Sequence, residues 1–145
     1  MFVQRDMRLQ KSRVILDTNL WISLFLIKSN LKNYRQIFND NIEIIVSAEI
    51  IDELIDVCCR PKFQKYFEKT DIEELVLLIH RNCTYVKIRS KLKACKDPKD
   101  DFLLNLSIDA HANYLITGDK DLLQLKMIGK TTILPFSEFI SKHNS

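Results

Sequence analysis

The chain has 145 residues, of which 46% are hydrophobic and 28% charged, and its formal net charge is +3. These values are typical of a single globular domain, no apolar run is long enough to cross a bilayer, and the first residues lack the apolar core of a secretory signal. The four cysteines form no C-x-x-C pair, which argues against a zinc site or a disulfide framework and favours a cytoplasmic protein.

The first half of the chain alternates between predicted strands and helices. Residues 13–17 form a β-branched run that ends in an acid and predicts a buried strand. Thr18 is the expected N-cap of the helix that follows. The remaining elements of this half are a helix over 31–39, a strand over 42–46, and a helix over 48–59 capped by Ser47.

The second half continues the alternation. Pro61 ends one helix and is expected to start another over 62–68, after which Thr70 or Asp71 caps a helix that runs to residue 82. The elements expected beyond it are a strand over 84–89, a helix from Asp100 or Asp101 through Ala112, a strand over 114–117, a helix over 121–126, a strand over 131–134, and a terminal helix after Pro135.

This order of elements predicts an α/β fold. Alternating strands and helices with short connections are typical of a three-layer α/β/α sandwich with a mainly parallel central sheet. We expect one domain over residues 1–145, with residues 1–12 as an N-terminal extension.

Four acids are expected at one edge of this sheet. Asp17 ends the first strand, Asp119 follows the strand over 114–117, and Asp101 lies in the first turn of a helix. Glu53 lies on the helix after the second strand, where its long side chain can lean back towards the strand end. Because an open parallel sheet binds ligands at the carboxyl ends of its strands, the four carboxylates are expected to converge on one cleft.

Such a cluster predicts a metal site. Converging carboxylates repel one another and would be forced to take up protons unless a cation neutralises them. Oxygen ligands with no accompanying set of His or Cys suit Mg²⁺ or Mn²⁺, as one ion or two. These ions activate water and stabilise negative charge in phosphodiester hydrolysis. The acids therefore indicate metal-dependent phosphodiester chemistry.

Four segments, taken in order, resemble a known family. They are VILDTN (14–19), SAEIIDEL (47–54) with the following RPKF (60–63), DPKDDFLLNLS (97–107) and YLITGDKDLL (114–123). Together they are similar to the PIN-domain family, and particularly to its bacterial toxin–antitoxin branch of VapC-like ribonucleases. The resemblance extends from residue 13 to about residue 140.

The resemblance implies roles for individual residues. Asp17, Glu53, Asp101 and Asp119 match the family's metal-binding and catalytic acids. Asn19 matches a polar residue that orients the first acid, and Thr117 matches the hydroxyl residue before the last. Members of the family are typically Mg²⁺- or Mn²⁺-dependent nucleases that cut single-stranded RNA, and the bacterial ones are commonly inhibited by a small antitoxin and often form homodimers.

Some choices remain open at this point. Asp100 is an alternative to Asp101, and Asp121 competes with Asp119. Several basic residues are expected to hold RNA phosphates, although lysines that protect a solvated strand edge are an equally good interpretation. These basic residues are Arg60, Lys62, Lys65, Lys87, Arg89, Lys91, Lys93, Lys96 and Lys99.

Two other functions compete with the nuclease. One is a non-catalytic PIN-like module that holds RNA or a protein without cutting. The other is a phosphohydrolase or receiver-like domain that uses Asp17 covalently, but the residues after Asp17 lack the second aspartate of a phosphotransfer D-x-D motif.

Overall fold

A computed structural model describes residues 11–27, 31–95 and 97–143 of the chain. Most of the predicted N-terminal extension lies outside these ranges, as does Lys96, and the side chain of Lys99 is not described. Within the described ranges, no helix is both long and apolar enough to span a membrane.

A mainly parallel sheet forms the centre of the molecule, as predicted. The described residues form six strands: β1 (Ser12–Leu16), β2 (Ile42–Val46), β3 (Thr84–Tyr85), β4 (Tyr114–Ile116), β5 (Met127–Ile128) and β6 (Thr131–Leu134). Their order is β3-β2-β1-β4-β6-β5, and every neighbouring pair is parallel except β5 and β6. The central position of β1 brings the segments that follow β1 and β4 side by side.

Seven helices connect the strands in the part of the chain that the structure describes. They are α1 (Thr18–Ile22), α2 (Leu31–Ile37), α3 (Ala48–Cys58), α4 (Lys69–Asn82), α5 (Asp101–Asp109), α6 (Lys120–Leu125) and α7 (Phe136–His143). A π-helical turn (Ser23–Ile27) continues α1, and 3-10 turns occupy Pro61–Phe63 and Pro98–Asp100.

The burial of β1 shows why the fold has three layers. Successive side chains of a strand point to opposite faces of the sheet. Val14, Ile15 and Leu16 follow one another and are all fully buried, so protein covers both faces of the sheet at this strand. The α/β/α sandwich predicted from the sequence is therefore confirmed.

The segment between α3 and α4 differs from the prediction. The helix expected over residues 62–68 is absent, and only the 3-10 turn after Arg60 forms. Arg60 caps this turn with no side-chain hydrogen bond, and short helices without such support are marginal in stability. The next helix begins earlier than predicted, because Glu68 and Asp71 form a reciprocal capping box at its start.

Other elements agree with the prediction to within a few residues. Ser47 caps α3 as expected, its hydroxyl accepting a hydrogen bond from the Ile50 N–H at 3.3 Å. The helix expected to reach Ala112 ends at Asp109. The antiparallel strand β5 was not predicted, because its two residues are too few to show an alternating pattern.

The strand predicted over residues 84–89 is mostly wrong. Only Thr84 and Tyr85 pair with β2. Val86 still donates to the carbonyl of Val46 at 2.9 Å. Farther on, backbone groups of residues 89–95 bond to side chains of α5 instead of a neighbouring strand. We call residues 89–95 the strap.

Candidate active site

Asp17 is held at the junction of β1, β4 and α1. Its N–H donates to the carbonyl of Ile116 at 3.0 Å, and its carbonyl accepts from the N–H groups of Leu20 and Trp21. Asp17 is therefore the N-cap residue of α1, one position before the predicted Thr18. The side chain is only 8% exposed, so the fold places a carboxylate where water has little access.

Thr117 connects Asp17 to Asp119. Its buried hydroxyl donates to Asp17 Oδ2 at 2.7 Å and accepts from the Asp119 N–H at 3.0 Å. Asp119 in turn caps α6 by accepting the Asp121 N–H at 2.8 Å. One hydroxyl thus fixes the spacing of the two acids that follow β1 and β4.

The protonation of Asp17 is shifted by this environment. Burial raises its pKa, and the nearby charge of Asp119 adds to the increase. The hydroxyl of Thr117 and the main-chain N–H groups of Asn19 and Thr18 oppose it by hydrogen bonding to the carboxylate. Asn19 therefore contributes through its backbone, while its side chain is exposed.

Asp100 is the third acid of this group. Burial raises its pKa to about 6, and the charges of Asp119, Asp17 and Asp97 act in the same direction. A hydrogen bond between the Asp100 and Asp119 side chains also contributes. Carboxyl groups raise one another's pKa in this way when they lie close together and no cation neutralises their charge. We call Asp17, Asp100 and Asp119 the acidic cluster.

Asp101 faces a different neighbour. Its Oδ1 accepts hydrogen bonds from the N–H groups of Ala94 and Cys95, at 3.0 and 2.8 Å. These bonds lower its pKa below the ordinary value. The sequence left Asp100 and Asp101 open as the third acid, and the contacts join Asp100 to the acidic cluster while Asp101 holds the strap.

Glu53 lies at the margin of the cluster. The hydroxyl of Thr18 donates to Glu53 Oε2 at 2.9 Å, which ties α3 to the first residue of α1. Thr18 is buried, and its contact with Glu53 goes beyond the capping role expected from the sequence. Its position directly after Asp17, the acid at the end of β1, is the sequence signal that could have identified Thr18 as part of the site. Asp121 is exposed and meets Asp119 through its backbone N–H.

The predicted RNA-binding residues fall in two places. Lys93 lies close enough to Asp101 for its charge to help lower the pKa of that acid. Arg60 pairs with Asp56 at 3.4 Å, and Lys62 lies over the Phe63 ring. Both basic residues follow the C-terminus of α3. Of these three described residues, Lys93 lies near the acids and the other two do not.

The chemistry of the acidic cluster fits a hard divalent cation. Its donors are carboxylate oxygens, and their mutual repulsion is relieved here by the hydrogen bond between Asp100 and Asp119. A cation would relieve it more completely, which is the usual reason for such clusters. In the described part of the chain, no three His, Cys, Asp or Glu side chains already have metal-binding geometry, so binding would require these side chains to move closer together around the ion.

Comparison with known proteins supports this architecture. The fold is similar to that of a chain in the crystal structure of VapBC2 from Rickettsia felis bound to a DNA fragment from their promoter, with a TM-score of 0.56 and 15% identity. The match covers 83% of this chain and 96% of that one. None of the curated proteins compared with the chain matches it. The family model of the PIN domain matches residues 13–121, and the chain therefore belongs to the PIN-domain family.

Proposed function

We propose that the protein is a metal-dependent endoribonuclease that hydrolyses phosphodiester bonds of single-stranded RNA. The observation that carries this proposal is the acidic cluster, in which three carboxylates from separate segments meet at the carboxyl ends of β1 and β4. Membership of the PIN-domain family supports it, since PIN domains are generally nucleases.

The acidic cluster would hold one or two Mg²⁺ or Mn²⁺ ions. A bound ion of this kind supplies an acidified water and neutralises charge on the phosphate. Thr117 fixes the direction of the Asp17 carboxylate, and together with the N–H groups of residues 18 and 19 it favours the ionised form, against the effect of burial. Glu53, held by Thr18, adds a fourth carboxylate at the margin. The resemblance implied Asp101 as the third ligand, and we propose Asp100 in its place.

Single asparagine variants of the acids test the proposal. Each of three variants removes a ligand charge: Asp17→Asn, Asp100→Asn and Asp119→Asn. Each should weaken Mn²⁺ binding, measured by calorimetry, and should reduce the rate of RNA cleavage by about a hundredfold or more. Asp101→Asn should retain metal binding. Asp40→Asn, an exposed acid in the turn before β2, is the matched control and should behave as wild type.

Two outcomes would contradict the assignment. Undiminished cleavage by Asp17→Asn or Asp119→Asn, or cleavage that survives a chelator, would exclude the metal mechanism. A protein that binds RNA but takes up no divalent ion would instead be the non-catalytic PIN-like module that the sequence left as the alternative.

We further propose that the protein is the toxin of a toxin–antitoxin pair, inhibited by a small cognate antitoxin. The four motifs of the sequence resemble that bacterial branch of the family. The similar fold in VapBC2 of Rickettsia felis, a protein whose structure was determined with a fragment of promoter DNA, supports the same placement.

A further inference from the structure

Three side chains of α5 form a polar stripe along one face of the helix. Asp101, Asn105 and Asp109 are spaced four residues apart, which places them above one another on one side. Each of them bonds to the backbone of the strap, residues 89–95. The strap is therefore held by side chains along its whole length, although it is not part of the sheet.

The bonds between stripe and strap are in register. Asp109 accepts from the N–H groups of Arg89 and Ser90 at 2.6 and 2.8 Å, and also from the Ser90 hydroxyl. The Asn105 amide bonds to both the N–H and the carbonyl of Leu92, at 2.8 and 3.1 Å. Asp101 accepts from Ala94 and Cys95. The strap thus runs antiparallel to α5 and ends beside the N-terminus of the helix.

This register indicates that the strap is nearly extended between its two ends. Eight residues of α5 separate Asp101 from Asp109, a rise of about 12 Å. Four residues of the strap, from Ser90 to Ala94, cover the same distance, or about 3 Å each, close to the rise of a β-strand. Alternate side chains in an extended chain point the same way.

Every second residue from Lys87 to Lys93 is basic. Lys87 precedes the strap, Arg89, Lys91 and Lys93 lie within it, and all four are exposed. The row ends at Cys95, whose N–H donates to Asp101 at 2.8 Å, and Asp101 directly follows Asp100 of the acidic cluster. A cleft of about 510 Å³ lies at this end, lined by Lys91, Lys93 and Asp101 among others. The cations therefore form a line that leads to the acidic cluster.

We propose that the strap is a rail for the sugar–phosphate backbone of RNA, in which the row of cations contacts successive phosphates and guides the strand into the acidic cluster. This inference deepens the proposed function by assigning how its substrate is held. Cations in an extended chain repeat at about 6 Å, a spacing that suits the regular phosphates of a single strand. RNA is the favoured occupant because the row leads to the acidic cluster, the proposed site of phosphodiester hydrolysis, where a bound cation would attract a phosphate.

Charge removal on the rail is the first test. The double variant Lys91→Gln/Lys93→Gln should bind a fluorescent oligouridine about fivefold to tenfold more weakly at low salt, and its log Kd against log salt should lose a slope of roughly 1.4. Binding is measured by anisotropy in the presence of a chelator, so the result is independent of any cleavage. The matched control, Lys11→Gln/Lys130→Gln, removes two cations that precede β1 and β6 at the opposite edge of the sheet.

Loosening the strap is the second test, and it separates geometry from charge. Asp109→Ala keeps all four cations and raises the net charge by one, so charge alone predicts tighter RNA binding. The rail predicts weaker binding, by about threefold or more, because three hydrogen bonds that hold the strap are lost. Tighter binding by this variant would overturn the proposal.

Two further outcomes are decisive. Equal RNA affinity of the Lys91→Gln/Lys93→Gln variant and its control would overturn the rail even if cleavage by the wild type were demonstrated. Displacement of the oligouridine by an equal charge concentration of oligoglutamate would also overturn it, and would identify the strap as a site for an acidic protein segment. Intact rail binding with inactive chemistry would contradict only the proposed nuclease.

Discussion

Thr117 shows how much of the candidate site depends on one hydroxyl group. It donates to Asp17 and accepts from the backbone of Asp119, and it is fully buried. A buried hydroxyl with both roles filled sets the distance between two acids more strictly than packing alone, because leaving either partner unpaired carries a desolvation cost. The residue before the last acid is therefore a positioning residue for both.

Replacing Thr117 by valine should separate this role from packing. Thr117→Val keeps the shape but removes the hydroxyl, so we expect a loss of about 1–3 kcal/mol in the free energy of unfolding and weaker Mn²⁺ binding. Thr131→Val is the matched control, since Thr131 is also buried and bonds the carbonyl of Ala112 at 2.7 Å. Equal metal binding by the two variants would contradict the positioning role, and Thr117→Ser should restore binding.

The adjacent acids Asp100 and Asp101 illustrate a choice that sequence spacing leaves open. Successive residues at the start of a helix point about 100° apart, so one faces the acidic cluster and the other the strap. Asp100 interacts with Asp119 and Asp17, whereas Asp101 accepts two backbone N–H groups. The direction of the first turn of α5 decides between them.

At the scale of elements, the strap explains why an alternating pattern failed as a strand prediction. Residues 84–89 alternate between polar and apolar, which is typical of a half-buried strand. Val86 still donates to the carbonyl of Val46 at 2.9 Å. From Arg89 onward, however, backbone N–H groups bond to Asp109, Asn105 and Asp101 of α5. An extended chain needs partners for its backbone groups, and side chains can supply them as well as a neighbouring strand.

The strap should detach at low pH. Burial alone would raise the pKa of Asp109, but hydrogen bonds from the Ser90 hydroxyl and from the N–H groups of Ser90 and Arg89 hold it below its usual value. A carboxylate with a lowered pKa stabilises the fold above its unfolded pKa, and this contribution is lost as pH falls through the folded value.

We therefore expect Asp109→Ala to cost about 1 kcal/mol of unfolding free energy at neutral pH, and the difference from wild type to shrink as pH falls below 3.8, the ordinary value of the group. Urea unfolding at several pH values measures this. Asp52→Ala, an exposed acid on α3, serves as the control. A cost for Asp109→Ala that grows as the solution becomes more acidic would exclude the interpretation.

At the scale of the whole molecule, the sheet assembles the site from distant segments. Asp17 and Thr117 are 100 residues apart in sequence and are joined because β1 pairs with β4. Glu53 reaches the same edge from α3, through Thr18. Parallel pairing places all these strand ends on one side, so the cleft is a property of the complete fold.

The toxin proposal is tested on the whole protein in cells. Expression of the wild type should arrest bacterial growth, and Asp17→Asn should not, because it lacks a proposed metal ligand. Co-expression of the proposed cognate antitoxin should restore growth, measured by colony counts. Equal arrest with and without the antitoxin, or by the Asp17→Asn variant, would count against this role.

The sequence by itself determined the fold class and the chain segments that carry the acids. Hydrophobic periodicity and capping residues such as Ser47 act locally, and they predicted most helices, the parallel sheet and the strand-end positions of Asp17 and Asp119. Only the tertiary structure decided that Asp100 joins the acidic cluster and that Asp101 holds the strap, because these choices depend on hydrogen bonds and burial between segments far apart in sequence. Local patterns report which face of an element is buried, whereas the partner of a buried polar group is known only once the chain has folded.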